Sequence, residues 1–160
     1  MGLTSATACV GTMVGAELSG HVHVRDALRM TAIELPYLDA AAADVGVAMF
    51  GPLPYQFRVS GAKLLPRRAL TADDSNYGTV TVGYNDGAGG SVTSLQAITT
   101  KKAGSGGTGD WVAGTAIALA SIDSADTVAA GQYLRAAVTK AASGVVTDFI
   151  VTIYGWYEGT

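Results

Sequence analysis

Residues 78–87 read GTVTVGYNDG. Val80, Val82 and Tyr84 fall on one side of an extended chain and Thr79 and Thr81 on the other, the period-two alternation of a strand with one buried face. Asp86-Gly87 follows at once, and such a pair favours a hairpin because the turn needs positive φ. The stretch therefore predicts a strand that turns back on an antiparallel neighbour.

Working outward, similar runs predict strands at 56–65, 92–100, 115–121, 133–140 and 147–157. The last, TDFIVTIYGWY, is apolar on both faces, with Phe149, Val151 and Ile153 against Ile150, Tyr154 and Trp156. Such a strand is central, or its second face meets a partner. KAASGV at 140–145 reads as a hairpin joining the last two strands. No long helical period interrupts the series, so the chain reads as mainly β, an antiparallel sandwich.

The first part of the chain reads differently. Residues 1–55 hold two basic residues (Arg25, Arg29) against five acids (Glu17, Asp26, Glu34, Asp39, Asp44), whereas 56–160 holds eight of each. The segment shows no sustained period and ends in GPLPY, whose prolines disfavour helix and regular sheet. It is expected to be an extended attachment arm with one short helix at 26–33. The sandwich domain is expected over 56–160.

Composition narrows the function. The chain has 160 residues, 49% hydrophobic but only 14% charged, with 21 glycines, against about 25% charged for an average domain. A net charge of −3 argues against nucleic-acid binding, which brings a basic surplus. The most apolar run, 40–54, carries Asp44, Gly46, Gly51 and Pro52 and falls short of the roughly 20 residues of a membrane span. The N-terminus lacks the positive start of a secretory signal. One cysteine, Cys9, excludes an intrachain disulfide framework and a CxxC site. A surface this poor in charge favours a subunit of an assembly.

Several motifs suggest chemistry. Gly104-x-Gly106-x-x-Gly109 matches the dinucleotide fingerprint, which requires a helix opening within it and an acid about 20 residues on. The following DWVAGTAIALAS alternates like a strand and is broken by Gly114 and Thr115. With no helix N-terminus to hold phosphate, the match reads as a flexible loop, and no cofactor is expected. His21-x-His23 could share a metal on a strand, as in cupins, but no third histidine exists. The bland reading is two histidines on an edge or arm. Ser-His-Asp or Cys-His chemistry would need the same two residues. Adjacent Asp73 and Asp74 face opposite ways on an extended chain and read as a polar turn. Asp123 and Asp126 offer too few oxygens for calcium. The pairs Arg67-Arg68 and Lys101-Lys102 are isolated, hence solvated or partner-facing. No catalytic residue, metal site or enzyme is predicted.

LLPRRALTADDSNYGTVTVGYNDG and, some 40 residues on, SADTVAAGQYLRAAVTKAASGVVTDFIVTIYGWY resemble the β-sandwich of head decoration (cement) and head-spike proteins of tailed bacteriophages. The resemblance covers about 64–157. It implies a jelly-roll-like sandwich and a non-enzymatic virion protein on the outer capsid surface, made in the bacterial host cytoplasm. Its partners would be the major capsid protein, its own copies in a homotrimer, and a spike or fibre protein. Gln132 replaces the acid that often follows AAG in that family, which removes the expected salt bridge. Arg67, Arg68, Trp111, Trp156 and Tyr157 are the candidate partner-facing residues. Two other readings stand beside this one. The first is a carbohydrate- or cell-surface-binding module stacking sugars on Trp111, Tyr133, Trp156 or Tyr157; the second is a cupin-like metal-binding protein built on His21 and His23.

Overall fold

The computed structural model describes residues 29–41, 45–87, 90–119 and 127–158. Among the described residues nine strands run in chain order: β1 (Arg29–Glu34), β2 (Val45–Phe50), β3 (Phe57–Pro66), β4 (Gly78–Asn85), β5 (Val92–Thr99), β6 (Ile117–Ala118), β7 (Thr127–Val128), β8 (Tyr133–Lys140) and β9 (Phe149–Tyr157). They form two antiparallel sheets. Sheet 1 has the order β1-β9-β3-β6, with β7 also on β3, and sheet 2 the order β2-β8-β4-β5.

This order is a jelly roll. One set of pairs is nested about the β4–β5 hairpin: β4 with β5, β3 with β6 and β7, β2 with β8, and β1 with β9. That is a single long antiparallel ribbon. Rolling it up adds the remaining contacts, β3 with β9 and β4 with β8, and closes two Greek keys. The hairpin predicted from GTVTVGYNDG is thus the tip of the whole ribbon. Asn85 pairs with Val92 across it, and Gly87 takes φ 131°.

Alternation puts the core between the sheets. Phe57, Val59, Leu64, Phe149, Val151 and Ile153 enter from sheet 1, and Val80, Val82, Leu134 and Val138 from sheet 2, all buried. Each such side chain contributes about 1.5–3 kcal/mol on burial. Two glycines let sheet 1 close up. Where the register shifts between Val59 and Gly61, the Tyr154 ring crosses β3 and would sit 2.6 Å from a Cβ on Gly61. A Cβ on Gly155 would sit 1.9 Å from the Arg58 carbonyl oxygen.

Three expectations need correction. Residues 29–34 and 45–50 are not arm but the first strands of the two sheets, so the sandwich begins well before residue 56. The helix expected at 26–33 is strand from Arg29 onward, because Thr31 and Ile33 alternate against Ile153 and Val151 of β9. KAASGV is not a hairpin: β8 and β9 lie in different sheets, and the link crosses between them. The two-faced β9 is indeed central, between β1 and β3.

Candidate functional site: an apolar flank

The five candidate partner-facing residues do not converge. Trp156 and Tyr157 sit opposite Arg58 and Phe57 at the start of β3, whereas Arg67 and Arg68 follow its end at Pro66. Ten strand residues separate the groups by about 30 Å.

Their local roles also differ. Trp111 is a core residue, 1% exposed, not partner-facing. Its ring meets Phe149 edge-on at 5.3 Å, and its Nε1–H donates to Thr108 Oγ1 at 2.7 Å. A two-way backbone bridge to Leu70 pins it there. Burial of so large a ring outweighs what its indole could gain at a surface. Tyr157 turns inward, its ring 5.2 Å from Phe57 and 6.0 Å from Tyr55. Arg67 is exposed, and its guanidinium is paired at the surface with Glu34 of the same chain, with Asp148 at 3.6 Å. Arg68 remains exposed on the wall of an open cleft of about 430 Å³ with Asp73, Asn76 and Val145. Trp156 is half-exposed on the outer face of sheet 1, two residues along β9 from Tyr154. Tyr133 lies on sheet 2, away from both.

The other motifs resolve in turn. Residues 103–105 form a single 3-10 turn, and the loop is hydrogen-bonded rather than open. The N–H groups of Ser105, Gly106, Gly107 and Gly109 go to carbonyls of residues 101–103, and that of Thr108 to Thr99. No fan of donors is left for a phosphate. Asp73 Oδ1 accepts from the N–H groups of Ser75 (2.7 Å) and Asn76 (2.6 Å), while Asp74 accepts from the Lys102 N–H at 3.2 Å. The two carboxylates cap separate backbone segments, as a polar turn requires. The Asn76 N–H, then that of Ser75, holds the Asp73 carboxyl below its ordinary value, assisted by Lys102 and opposed by desolvation. Lys101 Nζ lies 4.5 Å from the centre of the Tyr77 ring. In place of a salt bridge, the Gln132 side-chain amide makes two hydrogen bonds: Oε1 accepts from the Ala129 N–H at 2.8 Å, and Nε2 donates to Asp86 Oδ1 at 2.5 Å. Cys9, His21, His23, Asp123 and Asp126 lie outside the described residues. Among the described residues no group of three or more His, Cys, Asp or Glu could hold a metal ion. No helix among them is long and apolar enough to cross a membrane.

The feature that sequence reading missed is a surface. Of nine large hydrophobic residues exposed among the described residues, seven lie between 30 and 55: Met30, Tyr37, Val45, Val47, Met49, Phe50 and Tyr55. β2 is inverted relative to an ordinary edge strand. Its inward positions are small, with Gly46 against Val138 and Ala48 against the core. Val45, Val47 and Met49 alternate with these and stand in solvent, opposite Thr139, Ala137 and Arg135 of β8. The uncharged run VGVAMF was the available signal.

No protein-family model matches the sequence, and no curated protein matches it. Among solved structures, the chain is similar to an aminopeptidase from the marine sediment archaeon Thaumarchaeota archaeon (18% identity, TM-score 0.41, 72% of this chain and 24% of that one). It is also similar to the Clostridium thermocellum endo-1,4-beta-D-xylanase 10B CBM22-1–GH10 modules complexed with xylohexaose (14%, 0.36, 82% and 25%). A third is the infectious bursal disease virus Gx strain (11%, 0.35, 85% and 34%). The chain spans about a quarter of the length of the first of these chains. Their activities and assemblies are their own. What the fold and the surface define for this chain, among the described residues, is a jelly-roll sandwich with exposed apolar side chains along β2.

Proposed function

We propose that the protein is a non-enzymatic virion subunit, a decoration protein that binds the outer surface of a tailed-phage capsid and stabilises the shell. The observation that carries this reading is the exposed apolar row Val45, Val47 and Met49 along one side of β2. Contiguous exposed apolar surface marks a place where another macromolecule docks. The resemblance over 64–157 supplies the kind of assembly: the major capsid protein below, copies of the same chain alongside in a homotrimer, and a spike or fibre above. A protein that binds only the expanded shell shifts the shell's equilibrium toward that state by mass action.

The test is co-sedimentation of the purified chain with expanded shells that lack it. Saturable binding, with shells that break at higher temperature once coated, is the expected result. Shells left uncoated at micromolar protein would overturn the reading.

One observation favours a second reading. Tyr154 and Trp156 share the outer face of sheet 1, and Tyr154 also borders a cleft of about 410 Å³ with Met30, Lys63 and Leu65. Aromatic faces beside polar groups suit sugar rings, so a carbohydrate-binding role on the same particle is tested by a glycan array, with Trp156→Ala as the control.

A further inference from the structure

A sheet edge presents unpaired N–H and C=O groups, and proteins blunt such edges with charges, prolines, bulges or very short strands. Sheet 1 is blunted on both sides. β1 carries Arg29 and Glu34 at its two ends, and β6 and β7 are two residues each. Sheet 2 is different. Neither β2 (VGVAMF) nor β5 (VTSLQAIT) contains a charge or a proline. Among the described residues, no backbone hydrogen bond reaches 45–50 except from β8, or 92–98 except from β4. Both edges begin on an exposed valine, Val45 at 60% and Val92 at 51%.

The two edges also match one another. With the order β2-β8-β4-β5 and every pair antiparallel, β2 and β5 run in opposite directions. Beside β5 of one copy, β2 of the next would therefore continue the sheet with one more antiparallel ladder. A capsid strand would cover one edge and leave the other open. A second copy of this chain brings both edges at once, and a closed ring of copies leaves neither exposed. The one irregularity fits this arrangement. The register shift between Val82 and Gly83 makes Leu95 an extra residue on β5, and a bulge adds the local twist that a curving sheet needs.

We propose that copies of this chain join head to tail, β2 of one against β5 of the next, so that sheet 2 runs on through a closed ring. The inference rests on reading the chain as an assembly subunit and names the surface by which it meets itself.

Analytical ultracentrifugation of the full chain, with Val47→Lys and Ala97→Lys as separate variants, is the test. Both positions are exposed and sit on opposite edges. The expected result is a wild type at a multiple of 16.2 kDa and both variants at the single-chain mass, with unchanged far-ultraviolet circular dichroism. A wild type at 16.2 kDa at micromolar concentration overturns the proposal. So does dissociation by Val47→Lys alone, which would indicate a two-fold contact of β2 with itself. Should a variant fail to fold, hydrogen exchange on the wild type decides instead: amides of 45–50 and 92–99 must lose protection together on dilution. Shell binding is scored separately, so a ring that ignores shells refutes the capsid role alone, and a monomer that coats shells refutes the ring alone.

Discussion

At the scale of single residues, the two tryptophans differ in what they contribute to stability. Trp111 is enclosed and hydrogen-bonded, so Trp111→Ala leaves a cavity and removes the indole donor to the Thr108 hydroxyl. The expected loss is about 3–5 kcal/mol, a fall of about 10 °C or more in melting temperature for a chain of this size. Trp156→Ala removes a half-exposed ring and should cost about 1 kcal/mol or less. Thermal melts of the two variants check the contrast. Asp73 gives a pH signature. Its carboxylate is favoured in the folded state by the Asn76 and Ser75 N–H groups, so its pKa is lowered from 3.8. A lowered carboxyl pKa contributes stability that is whole at neutral pH and lost as the pH falls below 3.8 through the folded value. Asp73→Asn keeps the accepting oxygen but not the charge. The variant should therefore be the less stable protein at neutral pH and equal to the wild type toward about pH 2, read by denaturant titration at each pH. The polar turn at 73–74 was legible because neighbouring residues on an extended chain diverge. Trp111 was not, since a tryptophan beside a glycine loop looks alike in sequence whether it faces solvent or core.

At the scale of elements, legibility followed the contrast between the two faces of each strand. β4 alternates valine with threonine and was read nearly to the residue, as were β3, β5, β8 and β9. β2 failed because its inward residues are Gly46 and Ala48 and its outward ones Val45, Val47 and Met49, which reverses the expected sense of the pattern. β1 failed because only Thr31 and Ile33 mark its inner face. The pairing order has a consequence for truncation. A chain starting at residue 56 lacks the strands that cover β9 and β8 and is expected not to unfold cooperatively. A chain starting at residue 25 keeps every described strand and should melt within about 2 °C of the full length, less than about 1 kcal/mol. Calorimetry on the two truncations tests this. An independently folded 56–160 fragment would restore the division at 55.

For the whole molecule, the scarcity of charge decides how it should associate. A protein 14% charged, with net −3, offers little for long-range attraction, and the basic candidates are largely engaged: Arg67 with Glu34 and Asp148, Lys101 over Tyr77. Among the described residues, the apolar side chains of 30–55 and the uncharged edges of sheet 2 offer surface for contact. Contacts of that kind rest on apolar burial and backbone hydrogen bonds, which simple salt does not screen. Attachment through Arg67 and Arg68 to an acidic shell would behave otherwise, since raising salt from about 0.1 M to about 1 M shortens the screening length from about 10 Å to about 3 Å. Self-association and shell binding should therefore hold within a few-fold across that range, and sulfate should strengthen both by favouring burial. Isothermal titration at the two salt concentrations measures it. A loss of affinity by a hundredfold or more at high salt would move the contact from the flank at 30–55 to the exposed charges, with Arg68 on its open cleft the first residue to replace.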